Sequence, residues 1–159
     1  MAIFSRKPDL PEDLHDAWWS FLDCAEVIEG GRRVLLGTLP TGRVEPAPIP
    51  VGLESMRQAI ADAREWMPRW RVPAPPEDEP GPGGADPGNV ADLAAAWEKA
   101  DASLTEAETG CEHVAAVAAS TRELEELLTA FQDVIDPLDS FSDAERAWRK
   151  AWKLPRTRI

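Results

Sequence analysis

Apolar residues step along this chain at alternating intervals of four and three, and no other feature constrains its fold as strongly. Leu93, Trp97, Ala100, Leu104, Ala107, Cys111, Val114 and Ala118 hold that spacing over more than three heptads, which puts them on one face of an α-helix. A later set, Leu124, Leu128, Phe131, Ile135 and Leu138, runs one residue out of phase with it. A straight helix drifts by about 20° per heptad against a 3.5-residue repeat. One drifting helix and two helices broken near Ser120 therefore both fit, and Ser120-Thr-Arg-Glu123 has the Ser-x-x-Glu form of a new N-terminus.

The N-terminal part carries the same period. Asp9-Leu-Pro-Glu12 reads as a helix start near Pro11, and Leu14, Trp18, Phe21, Ala25 and Ile28, with Leu22 beside them, form one face. Gly30-Gly31 is a natural stop, yet the spacing continues through Arg32, Leu35 and Leu39. The expectation is a helix with a weak point at the glycines; a helix continuing to about residue 37 and a short strand over 34–39 are the alternatives. Pro40, Pro46, Pro48 and Pro50 make residues 40–50 an extended loop. A second helix is expected from about Val51 to Trp66, with Leu53, Met56, Ile60, Ala63 and Met67 on its buried face and Pro68 as its stop. Trp66 and Trp70, four apart, either cap the core or present a surface.

Residues 73–89 are rich in Pro and Gly, acidic, and almost devoid of apolar side chains. Such a segment buries too little to offset chain entropy and reads as a disordered linker. Toward the C-terminus, Asp136-Pro137 is expected to end the long segment. Ser142, three before Glu145, is expected to start a short helix to about Leu154, with Phe141 leading into a face of Ala144, Trp148, Ala151 and Trp152. The resulting fold class is all-α, an antiparallel helical bundle of about four helices. Its parts are a helical pair in 1–72, the linker 73–89, and a region 90–159 holding a long acidic helix, broken or continuous at 120, and a short basic helix. The two helical regions are expected to pack as one domain.

Charge is distributed unevenly. Residues 90–145 hold 14 acids against Lys99 and Arg122 alone, whereas 146–159 hold six bases and no acid, in a chain of net charge −12. So acidic a body repels phosphate backbones, which excludes generic nucleic-acid binding outside the tail. The two cysteines, Cys24 and Cys111, are too few for a disulfide framework and read as free thiols. Met1-Ala-Ile-Phe-Ser-Arg-Lys7 lacks the apolar stretch of a secretory signal, and no run reaches the length of a membrane span. A cytoplasmic location is expected. Thirteen Arg against four Lys, with abundant Ala, Gly and Pro, point to a GC-rich and hence bacterial source.

No catalytic, cofactor or metal motif is present in the sequence. Cys111-Glu112-His113 with Glu108 is the nearest approach to a metal-binding group, but on a helix Cys111 and His113 point about 200° apart. The Gly-rich run 81–88 lacks the Lys-Ser/Thr of a phosphate loop and carries acid. Neither His15 nor His113 has a nucleophile beside it in a recognisable pattern. No catalytic residue and no cofactor is assigned, and the chain is expected not to be an enzyme.

The candidate partner-binding residues lie at the C-terminus, where Arg146, Arg149, Lys150, Lys153, Arg156 and Arg158 alternate with Trp148 and Trp152 in a basic amphipathic helix. In the plainer account the tryptophans dock on the bundle while the bases lie over the acidic helix. The leading functional expectation is a protein–protein interaction or assembly protein, with a partner protein or a second copy recruited by the acidic helix, the tail or both. The alternative is a peripheral binder whose tail touches an anionic membrane or nucleic-acid phosphates.

Overall fold

The computed structural model describes residues 15–40, 45–71 and 87–152, with side chains described over 16–40, 45–71 and 94–147. Four helices make up the fold: α1 (His15–Leu36), α2 (Ile49–Trp66), α3 (Pro87–Ser120) and α4 (Leu124–Trp152), with a 3-10 turn, Met67–Trp70, following α2. The described residues contain no strand. The helical bundle expected from the apolar period is therefore the fold.

Two antiparallel hairpins, α1–α2 and α3–α4, hold the most extensive contacts and pack against each other. The buried stripe of α2 is the expected one, Leu53, Met56, Ile60 and Ala63, continued by Met67 in the turn. On α1 the stripe is Trp18, Phe21, Cys24, Ile28 and Leu35, with Cys24 rather than Ala25 at its centre. The Cys24 thiol donates to the Ala63 carbonyl at 3.2 Å. Ala100, Leu104, Ala107, Cys111 and Val114 of α3 are fully buried, as their spacing requires.

α1 runs through Gly30-Gly31 without a break and ends at Leu36, closed by Thr38 Oγ1 donating to the Leu35 carbonyl at 2.7 Å. The strand alternative over 34–39 is thereby excluded. Gly31 serves packing rather than termination: a Cβ there would lie 2.6 Å from Ala59 Cβ and 3.3 Å from the Ser55 carbonyl oxygen, while a Cβ on Gly30 would meet nothing within 4 Å. These neighbours give opposite expected outcomes in thermal unfolding. Gly30→Ala adds helix propensity in open space and stabilises by about 0.5–1 kcal/mol. Gly31→Ala forces α1 off α2 and destabilises by about 1–3 kcal/mol. Equal shifts for the two would contradict the packing described.

The second helix begins at Ile49, two residues before the expected Val51, because Pro50 occupies an early helical position where its missing N–H costs nothing. Pro87 opens α3, so residues 87–89 of the Pro/Gly-rich stretch are helical, and the remainder of that stretch lies outside the described residues.

The division of the C-terminal half differs most from expectation. The chain breaks at 121–123, where Ser120 Oγ donates to the Val117 carbonyl at 3.0 Å and Glu123 N donates to Thr121 Oγ1 at 3.1 Å. Ser120-Thr-Arg-Glu123 is thus the turn itself, and Leu127 N donates to the Glu123 carbonyl at the start of α4. Asp136-Pro137, expected to end a helix, lies inside α4, which runs on to Trp152. There is accordingly no separate short helix beginning at Ser142. The buried positions Phe131, Val134, Leu138, Phe141 and Ala144 keep a helical period across the proline, and their burial outweighs one lost backbone bond.

Pro137 leaves the Asp133 carbonyl without its usual intrahelical donor. Gly110 of α3 packs directly on that carbonyl: a Cβ there would lie 2.6 Å from the Asp133 carbonyl carbon and 2.9 Å from Val134 N. One turn on, His113 Nδ1 meets Asp133 Oδ2 at 2.6 Å. Gly110, His113, Asp133 and Pro137 thus fix the crossing of α3 and α4.

The hairpins are joined at one end by aromatic rings. Trp70 is fully buried and stacks on Phe21 with centroids 3.9 Å apart; Phe141 meets Phe21 edge-on at 5.9 Å and Trp97 meets Trp70 at 6.3 Å. Trp97 Nε1 donates to the Met67 carbonyl at 2.8 Å. Trp70 is thus a core cap, whereas Trp66 is half-buried beneath the Arg69 guanidinium at 4.2 Å.

Candidate functional site

In an antiparallel bundle the last turn of α1, the first turns of α2, the last turn of α3 and the first turns of α4 meet at the same end. At the opposite end Arg64 clamps α2 to α3 through Asp101 at 3.4 Å and Glu108 at 3.6 Å. Arg71 adds Glu98 at 3.2 Å. Nearer the other end, Arg32, just before the last turn of α1, ties that helix to Asp139 of α4 at 2.8 Å. Among the described residues no ion pair joins α2 to α3 at the end where α2 begins and α3 stops, the open end. There α2 and α3 enclose a groove of about 810 Å³, a volume within the range of ordinary ligand sites.

The sequence explains the opening. Ala115, Ala118 and Ala119 of α3 face the start of α2 and supply no side chain long enough to fill the space. Pro48, Ile49, Pro50 and Leu53 form the opposite apolar wall, and Leu127 of α4 closes the back. Two bases, Arg57 of α2 and Arg122 of the turn, stand in the lining with Glu54. Arg32, Arg33, Arg64, Arg71 and Arg146 all pair with carboxylates. Arg57 and Arg122 have no ion-pair partner among the described residues.

Among the described residues the large hydrophobics left exposed are Val34 and Leu36 at the end of α1, Val51 at the start of α2, and Leu124 and Leu128 at the start of α4. Leu124 and Leu128 belong to the apolar set that the sequence places on a core stripe, but they are 47% and 44% exposed. Leu124 and Leu128, one turn apart on α4 and both exposed, form an apolar patch of the kind that marks a binding surface.

Of the residues expected to bind a partner, Arg146 is exposed and paired with Asp143 at 2.7 Å, one turn away on the same helix. Residues 148–152, holding Trp148, Arg149, Lys150 and Trp152, form the last turns of α4, and their side chains lie outside the described residues. Lys153, Arg156 and Arg158 lie wholly outside them. The groove, Arg57 and Arg122 were not singled out by sequence reasoning. The available signals were the one-residue slip in apolar phase after Ser120 and the isolation of Arg122 in a run of acids.

Chemistry elsewhere is sparse. The His113–Asp133 pair borders a shallow hollow of about 380 Å³ with Thr105, Glu106, Thr109 and Gly110. Both threonine hydroxyls donate to backbone carbonyls of α3, so no hydroxyl is poised on the imidazole. The described residues contain no group of three or more His, Cys, Asp or Glu able to hold a metal ion. No described helix is long and apolar enough to cross a membrane.

Burial pushes the Cys24 thiol from the usual 9.0 up to about 12, with a hydrogen bond from Trp70 opposing, and pushes Cys111 up to about 11. Because these folded pKa values are raised, the thiols' contribution to stability is full below 9.0 and declines as pH rises toward about 11 and 12. Neither thiol of the folded protein is expected to react with a disulfide reagent at about pH 8, and both react once the chain is denatured. Rapid labelling of the native protein would contradict their burial.

Comparison with protein-family models, with curated proteins and with solved structures returns no match.

Proposed function

We propose that this chain is a non-enzymatic interaction or assembly protein of the cytoplasm, and that it engages its partner through the open end of the bundle. One observation carries the reading: among the described residues the large apolar side chains left exposed, Val34, Leu36, Val51, Leu124 and Leu128, lie in the last turn of α1 and the first turns of α2 and α4, and the starts of α2 and α4 also line the groove. Surfaces of this composition gain binding free energy by removing apolar area from water, and unpaired arginines beside them supply orientation. The basic tail is secondary in this reading; of its bases, Arg146 is the one whose side chain is described, and it pairs with Asp143.

The test compares partner retention by the full chain, by a Leu124→Gln/Leu128→Gln variant and by a chain ending at Glu145. Both leucines are exposed, so their replacement leaves the core intact. The reading expects the leucine variant to lose a specifically retained protein and the shortened chain to keep it. Loss on shortening alone moves the site to the basic tail. Tail-dependent binding to anionic vesicles, falling steeply with salt, replaces the assembly reading with the peripheral one.

A further inference from the structure

The open end carries a groove and also a ridge that would fit one. Leu124 and Leu128, one turn apart on the first turns of α4, stand out from the bundle. Glu123 and Glu125, both exposed, bracket Leu124. The groove beside them has the complementary character: apolar walls that include Leu53, Ala115 and Ala118, and a lining in which two bases unpaired among the described residues, Arg57 and Arg122, outnumber one acid, Glu54. An acidic, leucine-bearing ridge and an arginine-lined apolar groove thus sit side by side on one molecule.

We infer that the occupant of the groove is the ridge of a second copy of this chain, in a head-to-head two-fold dimer. This rests on the assembly reading above and names its partner. A two-fold axis at the open end places the ridge of each copy in the groove of the other, so one operation satisfies both halves of both surfaces. Charge favours the same choice. Two chains of net charge −12 repel over most of their surfaces, and the open end is where unpaired arginines can meet glutamates. The dimer covers the leucines whose exposure the monomer does not explain, and it leaves the aromatic end free.

The decisive experiment is sedimentation velocity on a charge-exchange pair of full-length chains. One carries Arg57→Glu and Arg122→Glu, which makes the groove acidic; the other carries Glu123→Arg and Glu125→Arg, which makes the ridge basic. Arg122, Glu123 and Glu125 are exposed and Arg57 is half-buried in the groove lining, so circular dichroism confirms that each variant is folded. The wild type is expected to sediment as a dimer, and each variant alone to be weakened at least about tenfold by like charges facing each other. An equimolar mixture is expected to recover the dimer, because every ridge then faces a groove of opposite sign. A wild type that stays monomeric at all concentrations, or a mixture that stays monomeric, overturns the inference. If the wild type is monomeric but Leu124→Gln/Leu128→Gln still abolishes retention of another protein, self-association fails and the assembly reading stands. If that variant retains its partners unchanged, both fail.

Discussion

Trp70→Ala is expected to lower the unfolding free energy by about 3–5 kcal/mol, the range for truncating a fully buried large aromatic side chain. For a chain of this length that corresponds to a fall in melting temperature on the order of 6–20 °C. Trp70 is 0% exposed, stacks on Phe21 of α1, and meets Trp97 of α3 edge-on. Its removal opens a cavity between the two hairpins rather than inside one of them. The helices around it are long and otherwise packed, so the space does not close by local adjustment. Trp66→Ala, four residues earlier, serves as the comparison. Trp66 is half-buried under Arg69, and its loss is expected to cost well under half as much. A chemical denaturation series on the two variants measures both effects, and similar values would mean that Trp70 does not join the hairpins.

Gly110→Val produces the second large effect, about 3 kcal/mol or more of destabilisation, by a different route. A side chain at 110 runs into backbone, since a Cβ there lies 2.6 Å from the Asp133 carbonyl carbon and 2.9 Å from Val134 N. Backbone inside a packed helix cannot rotate away as the end of a side chain can. Gly110→Ala is expected to destabilise too, although alanine is the better helix former by about 1 kcal/mol. The contrast with Gly30→Ala, where the added methyl enters open space, separates propensity from packing on one scaffold. A Gly110→Ala protein as stable as the parent would show that α3 and α4 do not cross as closely as described.

Much of the fold was legible from apolar spacing because helix burial is periodic, and periodicity survives without knowledge of the partner. The stripe Leu53, Met56, Ile60, Ala63 and Met67 on α2 is an example, as is the run from Ala100 to Val114 on α3. Where a local rule competes with tertiary packing, packing decides. Gly30-Gly31 carries the chemistry of a helix stop, but the helix expected to pass through it does so, and Gly31 is required by the approach of Ala59. Pro137 carries the chemistry of a helix end. Buried residues on both sides of it, Val134 and Leu138, hold the helix through the lost hydrogen bond.

The candidate site was less legible, for a physical reason. Leu124 and Leu128 satisfy the same spacing rule as core residues, and spacing says which residues share a face without saying whether anything covers it. Arg57 and Arg122 lie 65 positions apart in sequence and are brought to one groove only by the antiparallel return of α3 along α2. The C-terminal bases drew notice because they are contiguous. Contiguity made them visible, whereas the groove arises from distant segments.

Hydrogen exchange measured at high and at low protein concentration tests the central claim most directly, since it reports where a second copy settles. The account predicts that amides in 48–57 and 115–128, which border the groove and the leucine ridge, gain protection as concentration rises. Those in 15–24 and 94–101, at the aromatic end, exchange at the same rate throughout. Protection that is independent of concentration everywhere, or that increases at the aromatic end while the groove stays unchanged, would contradict it.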